Sequence, residues 1–169
     1  MRSPVITACA LVAALASPAW AQEAISYPDP SLTPGAVRSV DASAICSTGT
    51  TQFRHWDRER SDLIFERYHI ARQDRIAYTL DHLIPLEIGG ADVAENIWPQ
   101  PRRSLAGEWD DTRKDQLEHR LAFLVCSGEL DVREAQRAIA DDWTAAYDRF
   151  FPASRVNAFP PAVGAMTPK

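Results

Sequence analysis

The chain has few cysteines and no surplus of positive charge. Its three cysteines form no CxxC pair and no Cys/His knuckle, which argues against a structural zinc site. The 18 Lys and Arg residues stand against 23 Asp and Glu, for a formal net charge of −5. Proteins that hold nucleic acid by its phosphates usually show a basic face. Any nucleic-acid contact would therefore depend on local placement of the arginines.

The chain also lacks an apolar run long enough to span a bilayer. The run near the N-terminus, residues 5–16, falls short of the roughly 20 residues that a spanning helix needs. Arg2 precedes it, and Ala19-Trp20-Ala21 follows it, a pattern typical of a cleaved secretory signal. We expect residues 1–21 to be a signal peptide cut near Ala21, with an uncleaved interfacial anchor as the alternative. The mature protein is then secreted or periplasmic, without membrane contact.

Removal of the signal leaves two cysteines, Cys46 and Cys126, because Cys9 lies within it. An even pair in an oxidising compartment is most simply one disulfide. We therefore predict a Cys46–Cys126 bond with a scaffold role.

The remaining chain suits one domain without internal repeats. Residues 22–40 carry three prolines and a glycine and predict an extended lead-in. A domain is expected over residues 41–151, and a mobile Pro-rich tail over 152–169.

Hydrophobic spacing and cap residues predict an α+β fold. Residues 57–68 favour a short helix, residues 76–80 a strand ending at Asp81, and residues 97–98 a second strand beyond a turn at Gly89-Gly90. Asp110 is a suitable N-cap for a helix that stops before Gly128, and Asp131 is one for a third helix. The expected order is helix, strand, loop, strand, helix, helix.

Three residues around the predicted turn have side chains suited to metal-assisted proton transfer. Asp81 offers a hard oxygen ligand, His82 can accept a proton near neutral pH, and Asn96 can fix a loop or orient an imidazole without titrating. The structural alternative is a turn acid, a partly buried histidine and an ordinary loop amide. Neighbours on a regular strand point to opposite faces, so Asp81 and His82 share a site only if the strand ends or twists there.

The segments DHLIPLEIGG, AENIWPQP and RKDQLE together resemble the HNH branch of the ββα-metal nucleases, especially small secreted bacterial proteins with one disulfide. The interval between His82 and Asn96 matches that between the first His and the middle Asn of the HNH motif. The likeness is sharpest over residues 78–118 and extends loosely over most of the mature chain.

The resemblance implies a core of a two-stranded hairpin and a helix, with additional flanking helices. It implies metal-dependent hydrolysis of phosphodiester bonds, with His82 as general base, Asp81 as metal ligand and Asn96 as the residue that orients the histidine and tightens the loop. The implied cofactor is Mg²⁺, with Mn²⁺ or Ca²⁺ as alternatives. The implied partner is nucleic acid, DNA ahead of RNA, and we expect a monomer.

The last motif position departs from the family pattern. The usual interval after Asn96 ends at Leu105, where neither His nor Asn stands. Extra residues before the helix would instead bring Asp111 or Asp110 to the second metal position, although helix capping explains both. Nearby basic residues are candidates for substrate contact, namely Arg102, Arg103 and Lys114, with a solvated helix face as the alternative for Lys114.

A second hypothesis is that the protein has the nuclease scaffold but does not catalyse hydrolysis. The departure at the last position and the acidic composition also suit a secreted non-catalytic domain that binds nucleic acid, cell wall or protein.

Overall fold

Within the described residues, two short strands and four α-helices form the architecture. The computed structural model describes residues 27–55, 57–102 and 109–152. The helices are α1 (Ala42–Ser47), α2 (Arg58–Arg67), α3 (Asp111–Cys126) and α4 (Val132–Phe150), and the strands are β1 (Tyr78–His82) and β2 (Ile97–Pro101). Short 3-10 turns lie at Thr51–Phe53, Arg72–Ala77, Leu86–Ile88 and Ala94–Asn96. This mixture of helix and strand agrees with the predicted α+β class, and α1 is an element that the prediction lacked.

The two strands form an antiparallel sheet whose register runs from Tyr78 opposite Pro101 to His82 opposite Ile97. The predicted first strand was placed two residues early, because Ile76 lies in a 3-10 turn with 85% of its surface exposed. The second strand is longer than predicted and runs through Pro99 and Pro101. Proline has no backbone N–H to give to a ladder, so such residues belong on an edge strand.

The predicted helix caps are confirmed. The Asp110 carboxylate accepts a hydrogen bond from the Arg113 N–H at the start of α3, and Asp131 accepts two at the start of α4. Gly128 follows the end of α3 with a φ of 78°, a left-handed conformation that favours glycine. Within α4, Asp142 leaves the helical region (φ −161°, ψ 98°) and caps the final segment through the Thr144 and Ala145 N–H groups.

Two apolar cores flank the sheet and the loop after it. One joins α2 to the two strands and includes Ile64, Phe65, Leu83 and Trp98. The other joins the loop to α1, α3 and α4 and includes Ile88, Leu117, Leu121, Ile139 and Trp143. Trp98 and Trp143 are buried. The end of β1 therefore lies between the two cores.

The loop after β1 depends on a glycine at a close backbone contact. A Cβ atom on Gly90 would lie 1.9 Å from the Ile84 carbonyl oxygen, well inside contact distance. The lead-in packs against the same loop: Val37 forms a β-bridge with Gly90, and the Arg38 N–H donates to the Gly89 carbonyl at 2.7 Å. Residues 27–40 thus help to position the loop.

The predicted disulfide is present and joins Cys46 in α1 to Cys126 at the end of α3, with Cα atoms 5.6 Å apart. It is compatible with an oxidising compartment. None of the helices in the described ranges is long and apolar enough to cross a membrane. The predicted signal peptide and all but the first residue of the predicted tail lie outside the described residues.

Candidate functional site

Asp81 and His82 end β1 with their side chains in different surroundings. In the register, Asp81 stands opposite Trp98 and His82 opposite Ile97, so the two residues occupy successive positions of a regular strand. The Asp81 carboxylate contacts α3, whereas the His82 imidazole contacts the loop at Asp92. The strand therefore separates the carboxylate from the imidazole that the resemblance expects to act together.

The His82 imidazole is held by a carboxylate that sequence reasoning missed. Its Nε2 lies 2.8 Å from Asp92 Oδ1, and the two side chains are only 2% and 8% exposed. Burial lowers the pKa of His82 below its ordinary value, although the hydrogen bond to Asp92 opposes this. The imidazole is therefore neutral at pH 7, as a general base must be.

Asp92 is fixed by three further groups around it. Arg60 donates to both Asp92 carboxylate oxygens and to the Asp92 carbonyl. The His55 backbone N–H donates to Oδ2 at 2.7 Å, and the largely exposed His55 ring lies 3.5 Å from the same oxygen. Burial tends to raise the pKa of Asp92, but the hydrogen bonds from His55, His82 and Arg60 outweigh it and lower the pKa. The carboxylate is thus charged and rigidly oriented toward His82.

On the other face of β1, the Asp81 carboxylate binds the ammonium of Lys114. The Nζ–Oδ2 distance is 2.6 Å, and the same ammonium donates to the His82 carbonyl at 2.8 Å and to Glu118. Lys114 is completely buried, so it is not the phosphate contact that the sequence suggested. Lysine is almost never fully buried unless it is paired, and here it is paired twice.

The charges around Lys114 do not balance, because the carboxylates of Asp81 and Glu118 face a single ammonium. Burial alone would lower the pKa of Lys114, but Asp81 and Glu118 raise it above its ordinary value. Burial raises the pKa of Glu118 to about 8, against the opposing effect of Lys114. Lys114 stays charged, and Glu118 is the carboxyl that takes up a proton first.

Asp110 and Asp111, the two aspartates expected as further metal ligands, lie at the start of α3. Asp110 is buried and caps the helix, which is the structural role that the sequence offered as the alternative. Asp111 Oδ1 accepts the Thr112 N–H at 3.1 Å. Burial raises the pKa of Asp115, one turn further on, and the charges of Asp81 and Asp111 add to the increase. Across the described ranges, no three His, Cys, Asp or Glu side chains stand close enough to hold a metal ion.

Asn96 fixes the loop through four hydrogen bonds of its side-chain amide. It is fully buried. Its amide donates to the carbonyls of Ile84 (2.8 Å) and Ala91 (2.9 Å), while its oxygen accepts the N–H groups of Ile84 (2.9 Å) and Ala36 (3.3 Å). The loop-tightening part of the expected role matches this geometry.

The predicted arginine contacts are not brought to the imidazole. Arg102 donates through Nε to the Tyr78 carbonyl, at the end of the hairpin opposite His82, and four residues of strand span about 13 Å. Arg103 lies outside the described residues. The arginine that reaches the imidazole electrostatically is the exposed Arg54, which adds to the lowering of the His82 pKa that burial causes.

The residues that sequence reasoning missed carry little local signal. Asp92 stands in a glycine-rich turn where an aspartate is usual. Glu118 lies on a helix face that the sequence alone suggests is solvated. A one-turn spacing between Lys114 and Glu118 is the only hint of their contact.

Comparison of the chain with protein-family models, with curated proteins and with solved structures finds no match.

Proposed function

We propose that this protein is an exported HNH-type endonuclease that hydrolyses phosphodiester bonds in nucleic acid, DNA ahead of RNA. The observation that carries the proposal is the neutral, buried His82 imidazole held by Asp92 at the end of the first strand of a hairpin. It is supported by the order hairpin then helix and by the Asn96 loop contacts. The disulfide suits the exported state.

His82 takes a proton from the attacking water in this proposal. When Nε2 carries the proton donated to Asp92, the accepting lone pair of the imidazole is on Nδ1. Asp92 fixes this tautomer and then stabilises the imidazolium that forms, as a buried aspartate does in a catalytic triad. Arg60 keeps the carboxylate charged and immobile. General-base assistance of this kind contributes about 10²–10⁴-fold to a rate.

The donor chemistry fits a hydrated magnesium ion better than a closed metal cage. Magnesium commonly uses one or two carboxylates and keeps several waters. Asp81, with its side chain 19% exposed, and Asp111 at the start of α3 would hold it, and Asp115 would add negative charge beside it. When bound, the ion would neutralise a phosphate oxygen and stabilise the leaving oxygen. The exposed Arg54 is the residue that we assign to the substrate phosphate.

Plasmid cleavage by the mature, oxidised chain tests the proposal. Supercoiled DNA with Mg²⁺ should be nicked or linearised, EDTA should stop the reaction, and His82→Ala should lose at least about 10²-fold in rate. His119→Ala, at an exposed histidine of α3, is the matched control and should retain the parental rate. Cleavage that persists in EDTA, or a His82→Ala protein as active as the parent, would contradict it.

Two observations favour a second function, a non-catalytic binding domain. The Lys114 ammonium already satisfies one oxygen of Asp81, and His82 is only 2% exposed. A protein that binds DNA in EDTA but cleaves it with no divalent ion tested would support this alternative.

A further inference from the structure

The Asp92 carboxylate lies between two imidazoles. Its Oδ1 is 2.8 Å from Nε2 of His82, and its Oδ2 is 3.5 Å from Nδ1 of His55. The His55 backbone N–H also donates to Oδ2 at 2.7 Å, which fixes this residue against the loop. The two rings are therefore neighbours across a single carboxylate.

The two histidines differ in their access to solvent. The His82 side chain is 2% exposed, whereas that of His55 is 77% exposed. Oδ2 of Asp92 already accepts the His55 backbone N–H and Arg60, and 3.5 Å is longer than a good hydrogen bond, so the carboxylate attracts the His55 ring by charge when the ring is protonated. Because Nδ1 faces the carboxylate, Nε2 lies on the far side of the ring and can exchange its proton with water.

The segment that carries His55 borders His82 by a second measure. Arg54, the preceding residue, is exposed, and its charge acts on the His82 imidazole. Residues 54 and 55 thus form an exposed edge beside the buried ring. A phosphodiester that reaches His82 would lie next to both side chains.

Hydrolysis of a phosphodiester requires two proton transfers. The attacking water loses a proton as its oxygen bonds to phosphorus, and the leaving oxygen gains one as its own bond to phosphorus breaks. In an in-line displacement the two oxygens are on opposite sides of the phosphorus atom, so one imidazole does not serve both. Enzymes commonly divide the roles of base and acid between two groups in different environments.

We propose that His55 is a second catalytic residue of the nuclease reaction, which donates the proton on Nε2 to the leaving 3′ oxygen while His82 accepts a proton from the attacking water. The inference rests on the proposed nuclease function. The products are a 5′ phosphate and a 3′ hydroxyl. Afterwards His55 takes a proton from water and His82 returns one, so both rings regain their starting states.

A DNA oligonucleotide with one altered linkage tests this role. In that linkage sulfur replaces the 3′ bridging oxygen, and a thiol, with a pKa of about 8.5, is acidic enough for the thiolate to leave without a proton. His55→Ala should cleave the oxygen linkages about 10²-fold more slowly than the parent in kcat, and the sulfur linkage at the parental rate. His55→Gln should behave in the same way, because an amide does not donate the proton.

The assay uses the mature, oxidised protein with Mg²⁺ and maps cleavage at each linkage. His119→Ala, at an exposed histidine of α3, should match the parent at both kinds of linkage. An equal loss at oxygen and sulfur linkages, or no loss at either, would overturn the role of His55 while the nuclease function stands. A parent that cleaves neither linkage would overturn both proposals.

Discussion

The Nε2 atom of His82 lies 2.8 Å from Oδ1 of Asp92, and Arg60 and the His55 backbone hold that carboxylate from its other sides. The pair joins the last residue of β1 to the loop that returns to β2. It gives a buried imidazole both a fixed orientation and a preferred tautomer.

Replacing Asp92 by asparagine should lower kcat by about 10²-fold or more, because an amide does not hold the tautomer or stabilise the imidazolium. The Asp92 hydrogen bond raises the pKa of His82, so its loss should also move the acid limb of the pH profile to lower pH. Steady-state cleavage rates across pH measure both effects. Asp74→Asn, at an exposed acid, is the control. If Asp92→Asn has the same kcat as the parent, Asp92 has a structural role only.

The pH dependence of the parent should reflect a histidine that resists protonation. Burial lowers the pKa of His82 below the ordinary imidazole value of 6.5. The base form is therefore retained at pH 6.5, and kcat/KM should fall to half only at a more acidic pH. The measurement is kcat/KM from pH 4.5 to 8 at constant ionic strength. An acid limb centred above pH 6.5 would show that His82 is not the group that titrates.

Deprotonation of Glu118 should make the folded protein less stable as the pH rises. Burial raises the pKa of this carboxyl from 4.5 to about 8, so between these values the folded protein holds a proton that the unfolded chain has released. Its contribution to the free energy of unfolding is complete below about pH 4.5 and is lost as the pH rises through about 8. The slope approaches about 1.4 kcal/mol per pH unit at most.

Urea unfolding of the parent and Glu118→Gln from pH 5 to 9 isolates this effect. The parent should lose stability relative to the variant as the pH rises, by up to a few kcal/mol. Glu129→Gln, at an exposed acid, should run parallel to the parent. Parallel curves for the parent and Glu118→Gln would rule out the raised pKa.

Replacing Asn96 by alanine should destabilise the fold by about 3 kcal/mol, because it strips hydrogen bonds from buried backbone groups of the loop. Asn96→Asp is the matched comparison: it keeps the accepting oxygen but places a charge against the carbonyls of Ile84 and Ala91. Both variants should show lower urea midpoints, and Asn96→Ala should expose the loop amides to faster hydrogen exchange. A loss below about 1 kcal/mol would mean that water replaces these bonds.

The helices were predictable because their signals are local. Asp110, Asp131 and Gly128 mark three helix ends by side-chain or backbone chemistry that acts within a few residues. The disulfide followed from a count of two cysteines in a chain predicted to be exported. The second strand was cut short because a proline usually ends a strand, yet Pro99 and Pro101 both lie within an edge strand.

The contacts of the site were not predictable in the same way. Lys114 looked like a surface residue because lysine is rarely buried, and its partner Asp81 is 33 residues away in the chain. The His82–Asp92 pair depends on how the loop bends back, which Gly89, Gly90 and Asn96 decide together. The divergence of Asp81 and His82 follows from strand geometry, but only once β1 is known to stay regular through its last residue.

Pro99 and Pro101 alternate along β2, so they point their nitrogen atoms to the same side of the strand, which for an edge strand is the side away from β1. That outer border offers no amide hydrogens at two successive pairing positions. Another chain cannot add itself there as a third strand, and fibre-like stacking through this border is blocked. All five residues of β2 are also buried, so burial and the missing amide hydrogens together prevent another strand from pairing with β2.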